Sequence, residues 1–166
     1  MKNTFALYFI LFALGCKEKG LPKEKEIINP LGNINNRETL LLQTRNDRCG
    51  EWGGDKESIF IYSNSNQKVY YADYIKEVMQ CDRPYSDTSE REMTYKKKII
   101  MEYETKLIAQ QCITELAKMK LSNNFFIDHS GSINSAIISD SSIVIIDYPS
   151  RKWNTFFALR DSLLSK

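Results

Sequence analysis

Three runs rich in β-branched and aromatic residues, 39–45, 59–62 and 68–74, crowd the first half of the chain. Only Ser63, Asn64, Ser65, Asn66 and Gln67 separate the last two. Five polar residues are enough for a hairpin and too few for the crossover of a dozen or more residues that parallel strands need. The runs therefore predict an antiparallel meander. Residues 72–79 fit either a short helix or a continuation of the third strand. Further on, the apolar stretches 136–138 and 143–146 flank Ser139, Asp140, Ser141 and Ser142, which reads as a second hairpin. Its last strand is apolar at consecutive positions, so it is expected to lie centrally in the sheet or beneath a helix.

The stretch 89–121 carries two conflicting signals. Ser89-Glu-Arg-Glu92 has the form of a capping box that would open one long helix. Ile99, Ile100 and Met101, however, would point to three different sides of a helix, which favours a strand near 95–101 followed by a helix over 103–120. Within that helix, residues 108, 109, 112, 113 and 116 share a face. After Asp147, Tyr148 and Pro149, Ser150 is placed to cap a final helix, in which residues 153, 156, 157, 160, 163 and 164 form one face. The expected fold is α+β, an antiparallel sheet of a meander plus a hairpin packed against two helices.

At 166 residues, the chain allows one domain with a substantial core. Its 23 Lys+Arg against 21 Asp+Glu give a formal charge of +2, which provides no electrostatic footprint for nucleic acid.

The amino terminus constrains location more than any other stretch. Met1-Lys-Asn-Thr is followed by an uncharged apolar run, 5–14, and then by Gly15-Cys16. Ten apolar residues match the h-region of a signal peptide and are too few to cross a bilayer as a helix. Ala13-Leu-Gly-Cys16 resembles the lipobox of bacterial lipoproteins. That resemblance, confined to residues 1–16, implies cleavage before Cys16, a diacylglycerol on its thiol and acylation, palmitate included, at the new amino terminus. It also implies a membrane-anchored place in the cell envelope, at the outer membrane or the periplasmic face. The expected organisation is a signal peptide over 1–15, a lipidated tether over 16–37 rich in mixed charge, Pro, Gly and Asn, and a globular domain over 38–166.

An oxidising compartment makes the remaining cysteines informative. Cys112 falls on the apolar face of the expected helix and reads as a small buried hydrophobe. Cys49 and Cys81 both adjoin turn residues and are expected to form a disulfide.

Few residues invite chemistry. Cys49-Gly-Glu-Trp-Gly-Gly54 has no phosphate-loop or dinucleotide spacing, and it reads as a structural turn with Trp52 and Glu51 as partner-binding candidates at its tip. Asp47, Glu51, Asp55 and Glu57 lack the spacing of a calcium loop, so no metal is expected there. His129 is the only histidine. It serves at most as a weak catalytic candidate with Glu51 or Asp147, in a small envelope hydrolase. Tyr62, Tyr70, Tyr71 and Tyr74, with Phe60, alternate along strands, so half should face the core and half the opposite side. The leading expectation is a lipid-anchored, non-enzymatic domain without cofactor that binds a protein or small ligand.

Overall fold

The computed structural model describes residues 29–32, 34, 37–50, 53–64, 69–82, 92–122 and 131–165. The signal-peptide region, Cys16, Glu51, Trp52 and His129 lie outside these residues. The chain forms β1 (Thr39–Arg45), β2 (Lys56–Asn64), β3 (Val69–Val78), β4 (Glu92–Ile100), α1 (Tyr103–Ser122), β5 (Ser132–Ile138), β6 (Val144–Ser150) and α2 (Asn154–Leu164). The strands make one six-stranded sheet in the order β4-β3-β2-β1-β5-β6, antiparallel at every pairing. Together with the two helices this is an α+β fold.

Both helices lie on one face of the sheet. That face is built from aligned apolar rows: Ile99, Ala72, Ile61, Leu40 and Ile138 form one, and Tyr74, Ile59, Leu42 and Ala136 the next. Against them pack Ala109, Cys112, Leu116 and Met119 of α1 and Phe156, Leu159 and Leu163 of α2. The face of α2 is rotated from expectation, because Leu159 is buried while Leu164 is exposed. Arg160 leaves the core sideways to pair with Glu57 at 3.3 Å. Trp153, fully buried at the start of α2, stacks on Phe156 at 5.2 Å and donates from Nε1 to the Cys112 carbonyl at 3.1 Å.

The region 89–121 resolves into a strand and a helix. Ile99 turns inward and Ile100 outward, and the Met101 N–H then bonds the Tyr70 carbonyl at 2.9 Å, fixing the corner before α1. Near its end β4 bulges: the register shifts between Ala72 and Tyr74, Lys98 has φ 56°, and the Lys98 N–H donates to Asp73 Oδ1 at 2.8 Å. Residues 72–79 continue β3 as strand to Val78, because each position through 78 finds a partner on β2 or β4.

One expectation is narrowed and two are corrected. β6 is not central; of the two expected placements it takes the one beneath a helix, with α1 against one of its faces. It forms an edge of the sheet, with Ile145 and Asp147 turned toward the helices and Val144 and Ile146 left 54% and 48% exposed. Ser150 does not cap α2. It ends β6, and its hydroxyl donates to Asp147 Oδ2 at 2.6 Å while accepting from Asn134 Nδ2 at 2.7 Å. The exposed N–H groups at the start of α2 are met instead by Glu115 of α1, whose Oε2 accepts from the Thr155 N–H at 3.0 Å. The opposite end of α2 is met by Lys96 of β4, whose ammonium donates to the Leu163 and Leu164 carbonyls at 3.3 and 3.0 Å. Finally, packing reaches back past residue 38. Leu31 and Ile34 belong to the core, and Tyr70 donates its hydroxyl to the Leu31 carbonyl at 2.9 Å while accepting from Asn29 Nδ2 at 3.0 Å.

Candidate interaction surface

The turn between β1 and β2 is held from several sides. Cys49 and Cys81 form a disulfide that closes 32 residues of sequence. The Asn46 side chain accepts from the Arg48 and Asp55 N–H groups at 3.2 and 2.9 Å. Asp55 in turn accepts from the Met79 N–H at 3.0 Å and pairs with Arg48 at 2.9 Å, and Arg48 also donates to the Met79 carbonyl. Burial works to raise the Asp55 pKa, but these donors outweigh it and hold the carboxyl below the usual range. Gly53 has φ +81°, where an L side chain is strained, and at Gly54 a Cβ would meet Asn46 Oδ1 and the backbone of Asn46 and Arg48, so there is no room for one. Asp55 and the glycines thus shape a braced turn.

The remaining expected site residues divide between core and surface. Asp147 is only 1% exposed and shares a polar network with Ser150, Asn134 and Thr44, the Thr44 hydroxyl donating to Asn134 Oδ1 at 2.6 Å. The network fastens β1, β5 and the end of β6 under α1, out of reach of a substrate. Cys112 is fully buried, and desolvation pushes its thiol up to about 12. The Thr155 hydroxyl lies against that thiol and has no other hydrogen-bond partner among the described residues. Above them, between α1 and α2, runs a cleft of about 400 Å³ lined by Gln111, Thr114, Glu115, Lys118 and Asn154. Its one carboxylate, Glu115, is already committed to the α2 amino terminus. Among the described residues no group of three or more His, Cys, Asp or Glu side chains gathers as a metal site, and no helix is long and apolar enough to cross a membrane.

The second face of the sheet is the surface that sequence patterning only half foresaw. Tyr70 and Tyr74 point into the core; Tyr62, Tyr71 and Phe60 point the other way, where no described helix packs. One row runs Ile100, Tyr71, Tyr62 and Thr39, with the two tyrosine rings stacked at 6.0 Å. The Tyr62 hydroxyl donates to Asp73 Oδ1 at 3.1 Å; burial first, and that carboxylate second, raise its pKa. The next row is Asp73, Phe60, Leu41, Ile137 and Val144, and the third is Tyr95, Ile75, Ser58, Gln43, Ser135 and Ile146. Apolar groups thus continue from one edge of the sheet to the other, and the fullest exposure falls at the two edges. On the β6 edge stand Val144, Ile146 and Tyr148, and on the β4 edge Tyr95 and Ile100.

The alternation of Phe60, Tyr62 and Tyr71 with inward residues was legible in sequence. What marked Val144 and Ile146 as surface was the hairpin itself, since its first strand occupies the free side of β1 and leaves the second outside. Searches against protein-family models, curated proteins and solved structures found no match to this chain.

Proposed function

We propose that this is a lipid-anchored protein of a bacterial cell envelope whose α+β domain is a non-enzymatic binding module, and that its occupant is another protein docked on the open face of the sheet. The observation that carries the binding role is that face: two neighbouring rows of mainly apolar and aromatic side chains, half-buried at the centre and exposed at the two sheet edges, with no described helix upon them. Contiguous exposed apolar surface of this kind marks interaction sites. A pleated sheet face is broad and nearly flat, whereas small-molecule sites are concave and enclose most of the ligand, so a protein suits it better than a metabolite. Tyrosine at its centre fits the composition of protein interfaces. The acidic group of the cleft between the helices, Glu115, is occupied by the Thr155 N–H.

The anchor rests on Ala13-Leu-Gly-Cys16 after an apolar run. Acyl chains stabilise membrane residence by about 0.8 kcal/mol per buried methylene, so two or more hold a domain stably without a spanning helix. Cys49 and Cys81 joined as a disulfide agree with an oxidising compartment. Expression in a bacterial host with labelled palmitate tests the anchor: label should enter the wild-type chain and be absent from Cys16→Ser. An unlabelled wild-type chain retaining residues 1–15 would refute it.

A further inference from the structure

The two edges of the open face differ in charge. The β6 edge presents Val144, Ile146 and Tyr148 without a basic residue among them; the β4 edge interleaves Tyr95 and Ile100 with the exposed Lys97 and Lys98, and Tyr103 follows at the start of α1. Lysines alone are the ordinary guard of an edge strand against pairing with another chain. They do not account for Ile100 at 59% exposure and Tyr95 at 52%, side chains that a guard has no need to present. Aromatic, aliphatic and lysine side chains mixed on one margin are the composition that settles at a lipid headgroup boundary. Glu102 and Glu104 beside Tyr103 temper the charge, and Asp73 behind the bulge accepts from Tyr62 and from the Lys98 backbone.

The described chain begins beside the same margin. Asn29 and Leu31 are hydrogen-bonded to the Tyr70 hydroxyl, and the Tyr70 carbonyl accepts from Met101 next to Ile100. Thirteen positions separate Cys16 from Asn29, a reach of at most about 45 Å. We propose that the β4 margin, with Tyr95, Lys97, Lys98, Ile100 and Tyr103, is a second membrane contact that rests on the anionic lipid surface to which Cys16 is anchored. The inference builds on the anchored reading above. It sets the sheet edge-on to the bilayer, with β6 five strand spacings away, about 24 Å farther from the lipid. The apolar β6 half of the open face is then held outward for its protein partner.

The test uses the acylated chain reconstituted in vesicles of phosphatidylcholine with or without phosphatidylglycerol. A polarity-sensitive fluorophore is attached to Ile100→Cys or, on the same face at the opposite edge, Val144→Cys. Cys112 is buried and Cys49 and Cys81 are joined, so the introduced thiol takes the label. Quenching by spin-labelled lipid should be severalfold stronger at position 100 than at 144 in the anionic vesicles, and it should fall with added salt and in K97E/K98E. Equal quenching at the two positions, or none, in chains that float with the vesicles would overturn the inference while leaving the anchor intact. Chains that do not float at all would instead refute the anchor. In that case the chain from residue 16 onward with Cys16→Ser, added to preformed vesicles, decides the matter: salt-sensitive co-sedimentation with anionic vesicles supports the lipid contact, and its absence overturns it.

Discussion

The two faces of this sheet are built from the same alternating strands and come to opposite ends. On the helix side, Leu40, Leu42, Ile59, Ile61, Ala136 and Ile138 are essentially fully buried, and even the polar groups there, Asn134 and Asp147, are tied into hydrogen bonds. On the open side, Leu41, Phe60, Tyr62 and Tyr71 are half-buried with no described helix upon them, and Val144, Ile146, Tyr95 and Ile100 are largely exposed. A stable fold requires the first face; nothing in folding alone calls for the second to be so apolar. That asymmetry separates what holds the domain together from what it offers to others.

The largest effect that would break this division comes from the covered side. Trp153→Ala should destabilise by about 3–5 kcal/mol, since it empties a fully buried site and removes the indole hydrogen bond to the Cys112 carbonyl. Urea unfolding of the variant checks it, and a loss under about 1 kcal/mol would mean that α2 is not fixed as described. Next comes the brace at the edge of both faces. Opening Cys49–Cys81 with reductant should cost roughly 3–4 kcal/mol for a closed loop of 32 residues, read from melting with and without reductant.

Smaller still are the charges that tie α2 down from other elements. Glu115→Ala removes the carboxylate at its amino terminus and should cost about 1 kcal/mol, while Lys96→Ala at the carboxyl end should cost about half that. If neither substitution moves the unfolding midpoint, the helix is held by packing alone. The smallest stability change is expected on the open side, where Ile146→Lys should alter folding by about 1 kcal/mol or less and yet abolish partner binding, measured as loss of the complex by pull-down of the folded variant.

Two groups predict how stability follows pH. Asp55 is depressed in the folded chain, so its contribution is present above its unfolded pKa and fades as pH falls through the folded value. Asp55→Asn should flatten the acid limb of a stability profile. Cys112 runs in the other direction. Its folded pKa is raised to about 12, so its contribution is whole below the unfolded thiol pKa and is lost as pH climbs from there toward 12. Cys112→Ala should flatten that alkaline limb, and a thiol reagent at neutral pH should react with Cys112 only on unfolding.

Much of the scaffold was legible because period and spacing carry it. Ile99, Ile100 and Met101 in succession favoured a strand before the helix over one continuous helix, and the structure turns from strand to helix at that point. The tyrosines alternated as their strands required. The disulfide followed from compartment and turn chemistry. The misses are long-range in character. Ser150 has the right chemistry for a cap, but its hydroxyl bonds Asp147, and Glu115, distant in sequence, meets the start of the helix instead. Consecutive apolar residues at 143–146 correctly signalled two apolar faces, and only the pairing of β5 with β1 determined that one of them would stay uncovered. The interaction surface was therefore visible as composition and hidden as topology.

Photocross-linking in intact cells measures the contrast between the faces most directly. With a photoreactive residue at Ile146 on the open face, or at Lys118 on the exposed surface of α1, the account predicts one discrete protein adduct from position 146, lost when Val144→Lys is added, and none from 118. Adducts of equal yield from both positions, or none from 146 in a folded and membrane-associated chain, would contradict it.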